Sequence, residues 1–305
     1  MLQTPKTIVI SAADRVYAPL VNDLFSSLKA LKFQAHFDLG LIDVGLGDDA
    51  NRKHFVDMGI QVVPAKVDID YPSRTEWEAK IPGLRTLTAT PFLRSYFPGY
   101  DVYVWMDADM WAQTPEALDT MIAGATGSQA IFIAQELDRC YNDFYTNSGV
   151  WQKFSGWYHA GFPPDVAAAM MLKPMLNVGI YAMSNDSPVW DAWADIYGAA
   201  LQRVGALREE TFMAHQLAMN IALYLHGKPC AIMPASYNWL TYFALPMIDP
   251  ITGMYVETLP PYRPISIMHL TRANKLAVEK IQCLDGAIVE RQLMFSKRGV
   301  TPTLP

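Results

Sequence analysis

One stretch, residues 101–111 (DVYVWMDADMW), constrains this chain more than any other. Val102, Tyr103, Val104 and Trp105 form a β-branched and aromatic run, the pattern of a strand buried on both faces of a sheet. The run ends at Asp107 and Asp109, one residue apart. In extended backbone, residues i and i+2 project to the same side, so both carboxylates leave the strand end together. Open α/β sheets bind their ligands at such strand ends. Two like charges that close repel unless a cation lies between them or one of them takes up a proton. A hard divalent ion, Mn²⁺ or Mg²⁺, is the natural partner, and it keeps positions open for substrate phosphates. A solvated pair that caps the next helix would carry the same two residues, and the motif alone does not separate these readings.

The rest of the chain supplies the sheet. Residues 7–12 read as a first strand, 17–31 as an amphipathic helix with Leu20, Leu24, Leu28 and Leu31 at helical spacing, and 37–44 as a second strand. A short helix over 51–58 and a third strand over 61–64 complete a βαβαβ alternation, which implies a parallel sheet with right-handed crossovers. Residues 67–82 read as an irregular surface loop and 86–97 as the helix that leads into the 101–111 strand. Pro115 opens a further helix at its first turn. Strands are expected at 130–134, 175–183, 230–234 and 264–270, with helices at 190–204 and 209–225 and a helical, then frayed, tail beyond Lys275. Between 137 and 164 the periodicity fails in a segment rich in Tyr, Trp, Asn and Gly. Long irregular loops are usually functional, and aromatic faces suit stacking on sugar rings. An ordinary surface excursion would look the same.

Composition excludes several classes. With 305 residues, 51% hydrophobic and 18% charged, the chain is a compact globular protein, long enough for one large α/β domain or two closely joined ones. Its net charge of −6 argues against nucleic acid as a partner. Cys140, Cys230 and Cys283 are too scattered for a disulfide framework or a zinc site. No stretch approaches the ~20 apolar residues of a membrane span. A cytoplasmic protein without an integral membrane segment is expected.

Five blocks, taken in order, resemble glycosyltransferase family 8, nucleotide-sugar enzymes with the GT-A fold. They are SAADRVYA (11–18), VYVWMDAD (102–109), LNVGIYAMS (176–184), AHQLAMN (214–220) and IMHLTRANK (267–275), with MPASYNWL (233–240) before the last. The resemblance implies a Rossmann-like GT-A domain whose central, mostly parallel sheet is flanked by helices. One domain over 1–305 is expected, with a nucleotide-binding half (1–135) and an acceptor and metal-closing half (136–305). It further implies a metal-dependent transfer of sugar from a UDP-sugar donor to a glycan, lipid-linked or small-molecule acceptor, with retention of configuration. Asp107, Asp109 and His269 would hold the ion. Ala12, Asp14, Tyr17, Asn177 and Lys275 would bind the donor, and Gln216 would lie beneath the sugar.

The chemistry is coherent on the residues alone. A departing diphosphate gathers negative charge, which a metal can stabilise as a Lewis acid. Oxygen and imidazole ligands together suit Mn²⁺, and Lys275 can place an ammonium on phosphate. The chain departs from the family where Thr90 stands for a donor-gripping Arg or Lys, with Arg94 one turn on as its expected substitute. It departs again at His215, where the family has Asp, and at Arg272, Leu276 and Ala277 in the last block. A haloacid-dehalogenase-type phosphatase also ends a strand in Asp-x-Asp, but on its first strand. A non-catalytic nucleotide-sugar-binding module with the same fold is the alternative that the departures leave open.

Overall fold

The computed structural model describes residues 5–141, 149–204 and 209–297. Strands β1 (Thr7–Ala13), β2 (Asp38–Asp43) and β3 (Gln61–Pro64) are linked by helices Ala18–Ala30 and Asp49–Asp57, the alternation expected from sequence. The chain then returns past β1 and lays β4 (Val102–Met106) on its other side. After a short β5 (Met110–Ala112) and helix Glu116–Ala125 come β6 (Ile131–Gln135), β7 (Leu176–Ser184) and β8 (Cys230–Met233). The seven-stranded sheet runs β3-β2-β1-β4-β7-β6-β8. Only β7 is reversed, antiparallel to both β4 and β6.

Burial on two sides explains the apolar run in β4. Tyr103 and Trp105 pack into one cluster, Val102, Val104 and Met106 into the other, and all five residues are buried. A strand covered on both faces has no polar side to show. Because β7 runs against its neighbours, its first residues meet the last residues of β4 and β6 at a single edge. There the Asp107 N–H donates to Gly179 O at 2.8 Å, and the Glu136 N–H donates to Met175 O at 2.9 Å. The strand order reverses between β1 and β4 at the same edge, the place where such sheets form a ligand crevice.

A smaller layer closes over it. Strands β9 (Trp239–Leu240), β10 (Met247–Ile248), β11 (Tyr255–Val256) and β12 (Ile267–His269) follow β8. β12 lies between β5 and β9, which sets His269 opposite Met110 on one side and Leu240 on the other. A third apolar cluster, with Trp111, Trp239 and Met268, packs this layer. No helix among the described residues is long and apolar enough to cross a membrane.

Four expectations need correction. Residues 67–82 hold a helix, Arg74–Lys80. It buries only Trp77, so it shows no apolar period, and ion pairs Asp70–Arg74, Arg74–Glu78 and Glu76–Lys80 support it. The expected helix over 86–97 is broken into Arg85–Ala89, a 3₁₀ turn at Thr90–Phe92 and Leu93–Tyr96, with Pro91 in the turn. The segment 137–164 is not a plain loop: it contains helix Gly149–Gly161, although residues 142–148 lie outside the described residues. The tail up to residue 297 is not an α-helix; its one helical piece is a 3₁₀ turn at Phe295–Lys297. Strands β13 (Val278–Gln282) and β14 (Ile288–Gln292) form an antiparallel hairpin that turns at Asp285 and Gly286, where Gly286 takes φ 90°. Asp-Gly is the residue pair such a turn favours.

Candidate active site

The carboxylate pair does not project from extended backbone. β4 stops at Met106, and residues 107–110 form a turn in which the Met110 N–H donates to Asp107 O at 3.2 Å. The side chains converge all the same, because each is held separately. Asp107 Oδ1 accepts from the Trp105 indole at 2.8 Å, which leaves Oδ2 facing the neighbouring β12. There His269 Nε2 lies 3.7 Å from Asp107 Oδ2 and 3.2 Å from Asp109 Oδ1. One ligand atom from each of the three residues lies within 4.8 Å of the other two.

The imidazole is set by its other nitrogen. Asn238 donates its amide to Asn177 Oδ1 at 2.8 Å, so its own Oδ1 is free to accept from His269 Nδ1 at 2.9 Å. With Nδ1 bound to Asn238, Nε2 is the nitrogen turned toward the carboxylates, where a metal ligand would have to lie. Gly179 makes the approach possible: a Cβ there would lie 2.6 Å from His269 Cε1, 2.7 Å from Asn177 Oδ1 and 3.0 Å from Asp107 Oδ2. Two oxygens and a nitrogen converging at these separations fit Mn²⁺ or Mg²⁺.

The two carboxylates are electrostatically unequal. Burial pushes Asp107 above the usual carboxylate range, and His269 offsets this only in part. Burial acts the same way on Asp109, but His269 and Lys275 outweigh it and hold Asp109 below that range. Lys275 Nζ sits 2.5 Å from Asp109 Oδ2 and also donates to Leu270 O.

These groups border a cavity of about 850 Å³ that draws on both halves of the chain. Ala12, Asp14 and Tyr17 line it from the end of β1, where Asp14 Oδ1 accepts from the N–H groups of Val16 and Tyr17. Asn177 and Gln216 also line it, next to Glu136 at the end of β6. Gln216 Nε2 donates to Glu136 Oε2 at 2.6 Å, and Asn177 Nδ2 lies 3.3 Å from the same oxygen. Burial raises the pKa of Glu136. A continuous chain of hydrogen bonds thus runs from His269 through Asn238 and Asn177 to Gln216 and Glu136.

Sequence reasoning missed Glu136 and Asn238. The signal for Glu136 was an acid directly after an apolar strand (IFIAQE); Asn238 stands in the block MPASYNWL, whose Asn-aromatic ending was part of the resemblance but carried no assigned role. Arg94 needs correction. It is not among the cavity residues; its guanidinium bonds Asp191 Oδ1 at 2.7 Å and Asn185 O at 3.1 Å and lies over Trp190. The 3₁₀ turn at Thr90–Phe92 breaks the helical spacing on which the substitution relied. Thr90 itself is buried, with its hydroxyl on Leu87 O. Arg272 pairs with Glu279 at the base of the hairpin, so the chain after His269 is built around β13 and β14.

No protein-family profile matches the chain, and no curated protein does. Solved structures do. The galactosyltransferase LgtC in complex with donor and acceptor sugar analogues has TM-score 0.53 and 13% identity, over 86% of each chain. An active-site mutant of LgtC gives 0.51 and 13% over the same shares. The apo bifunctional glycosyltransferase WbbM gives 0.53 and 10%, over 90% of this chain and 47% of its own. By sheet order, crevice and neighbours, the chain has the GT-A fold, in a form that resembles glycosyltransferase family 8.

Proposed function

We propose that this protein is a metal-dependent glycosyltransferase that moves a sugar from a UDP-sugar to a glycan, lipid-linked or small-molecule acceptor, with retention of configuration. The observation that carries the reading is the convergence of Asp107, Asp109 and His269 at the switch point of the sheet, inside a cavity of donor size. Strand order supports a layout along that edge. The end of β1 would hold the nucleoside through Ala12, Asp14 and Tyr17, the turn after β4 and the facing β12 would carry the metal ligands, and β7 and β6 would bring Asn177 and Glu136 under the sugar.

Asp107, Asp109 and His269 would hold Mn²⁺ or Mg²⁺, which supplies Lewis-acid stabilisation of the departing diphosphate. Lys275 sits beside Asp109 and can place its ammonium on the same phosphates. Gln216 and Asn177 fix the Glu136 carboxylate at the sugar end, where positive charge develops at the anomeric carbon. Phe154 and Trp157 of helix Gly149–Gly161 form an aromatic wall of the same cavity. Retention rests on the likeness to family 8 alone.

Calorimetric titration with UDP, with and without Mn²⁺, followed by UDP release from donor sugars, tests the reading. UDP binding that needs the metal, with release in the presence of acceptor, supports it. Metal-dependent binding without release or transfer favours the non-catalytic module, for which His215 and Thr90 speak. Absence of UDP binding removes both.

A further inference from the structure

Residues 270–277 join β12 to β13 without forming a helix or a strand, and they carry Lys275. Both ends of this segment are tied. At the near end the Leu270 N–H donates to Asp109 O at 2.9 Å, and the Thr271 N–H donates to His269 O at 2.9 Å and Thr241 Oγ1 at 3.0 Å. At the far end Gln292 Nε2, on β14, donates to Leu276 O at 2.7 Å. Between them the Arg272 guanidinium reaches Glu279 on β13, Nε to Oε1 at 3.1 Å. Arg272 and Leu276, two positions at which the last block departs from family 8, are thus the two that the hairpin holds. The hairpin is itself fixed close to the metal ligands. Ile281 and Leu293 are buried in the cluster that contains Trp111, and the Trp111 indole donates to Leu293 O at 2.7 Å. Only Met110 separates Trp111 from Asp109. Arg272, Lys275 and Glu279 line one gap of about 10 Å³, room for a single water, so segment and hairpin pack closely at the lysine.

Resting on the donor reading above, we propose that Arg272 and Glu279 are positioning residues for donor binding: through their ion pair the β13–β14 hairpin sets where Lys275 places its ammonium, and neither side chain touches the donor. Lys275 and Thr271 line the large cavity, whereas Arg272 and Glu279 are not among its residues. A lysine on a free segment would lose that freedom when the diphosphate arrives, at a cost in affinity; a lysine already in place does not. An ion pair of this exposure, 43% and 16%, contributes little to folding, so the fold survives its removal. Charge alone predicts the opposite effect for one partner. Glu279 is an anion near a site for an anion, so neutralising it would, through the field alone, strengthen UDP binding. Loss of position weakens it.

The test is calorimetry of UDP with Mn²⁺ saturating, on Glu279→Gln alone and combined with Lys275→Met. Glu279→Gln, a change of nearly the same shape, should weaken UDP binding about three- to fivefold, the scale of one partly exposed ion pair. In the Lys275→Met chain the same change should weaken it no further, because the group it positions is gone. Arg272→Lys, which keeps a cation for Glu279, should retain most of the affinity, and Arg272→Ala should not. Urea midpoints identify an effect on the fold: a merely structural pair would lower stability in both chains and UDP affinity in neither. Unchanged or stronger UDP binding in Glu279→Gln or in Arg272→Ala overturns the proposal. So does a loss that persists in full beside Lys275→Met, since the pair would then act on the donor without the lysine. Failure of the wild type to bind UDP at all overturns the donor reading itself, and is seen before any variant is compared.

Discussion

Lys275 and Asp109 stand 166 residues apart in sequence, yet Lys275 Nζ lies 2.5 Å from Asp109 Oδ2, at the mouth of the three-ligand site. Both side chains are largely buried, 18% and 10% exposed. The ammonium therefore neutralises a carboxylate that a divalent ion would otherwise claim. Lys275→Met should act with opposite signs in two measurements. Mn²⁺ binding to the protein alone should strengthen about tenfold, since a competing charge is gone. UDP binding with Mn²⁺ saturating should weaken by about the same factor, since a phosphate contact is lost. Equal signs in the two titrations would show that the lysine does not move between the carboxylate and the phosphates.

Asp107→Ala and Asp109→Ala should each abolish the metal dependence of UDP binding while circular dichroism stays unchanged. His269→Ala should weaken Mn²⁺ binding to the protein alone, where Lys275→Ala does not. Asn238→Ala is the subtler case. It touches no ligand atom of the ion, yet it removes the oxygen that fixes the proton on His269 Nδ1. Loss of such a partner typically lowers metal affinity by about 10- to 100-fold. Electron paramagnetic resonance of free Mn²⁺ reads this directly; affinity equal to wild type would mean that β5 and β9 alone hold the ring.

The residues that were legible in the sequence are those whose neighbours repeat a pattern. Asp107 and Asp109 follow a strand with both faces buried, and His269 and Lys275 fall in a late block that makes sense only beside them. What was not legible depends on contacts between distant segments. Asn238 matters through His269, 31 residues on, and Glu136 matters through Gln216, 80 residues on. Neither distance leaves a mark on local periodicity. Arg94 was misplaced because helical spacing was carried across Pro91, where the backbone tightens to 3₁₀. The terminal hairpin did carry a local signal, Asp285-Gly286, and helical expectation overrode it.

Gly179→Ala tests how tightly the cage is packed. The added methyl group would press on His269 Cε1, Asn177 Oδ1 and Asp107 Oδ2 at once. None of these can retreat cheaply, because Asn238 pins the imidazole, and Asn177 bridges Asn238 and Glu136. Overpacking of this kind costs about 1–3 kcal/mol. The denaturant midpoint should fall accordingly and Mn²⁺ affinity by at least about tenfold. A variant that kept wild-type metal affinity would mean that the imidazole has room to move.

Buried His215 should also leave a signature in stability against pH. Burial lowers its pKa from the ordinary 6.5 to about 4 in the folded chain, and its bond to Phe212 O offsets this only in part. The unfolded chain regains the ordinary value, so between these limits it binds the proton that the folded chain refuses. The stability that His215 contributes is therefore complete above about pH 6.5 and is lost as pH falls toward 4. Within that window one such proton changes stability by about 1.4 kcal/mol per pH unit. Other groups titrate there too, so the comparison is with His215→Gln, which has no proton to gain. Urea denaturation at pH 7.5 and 5 should show the wild type losing more stability than the variant over that span. Parallel losses would mean that the ring takes up a proton in the folded chain as readily as in the unfolded one.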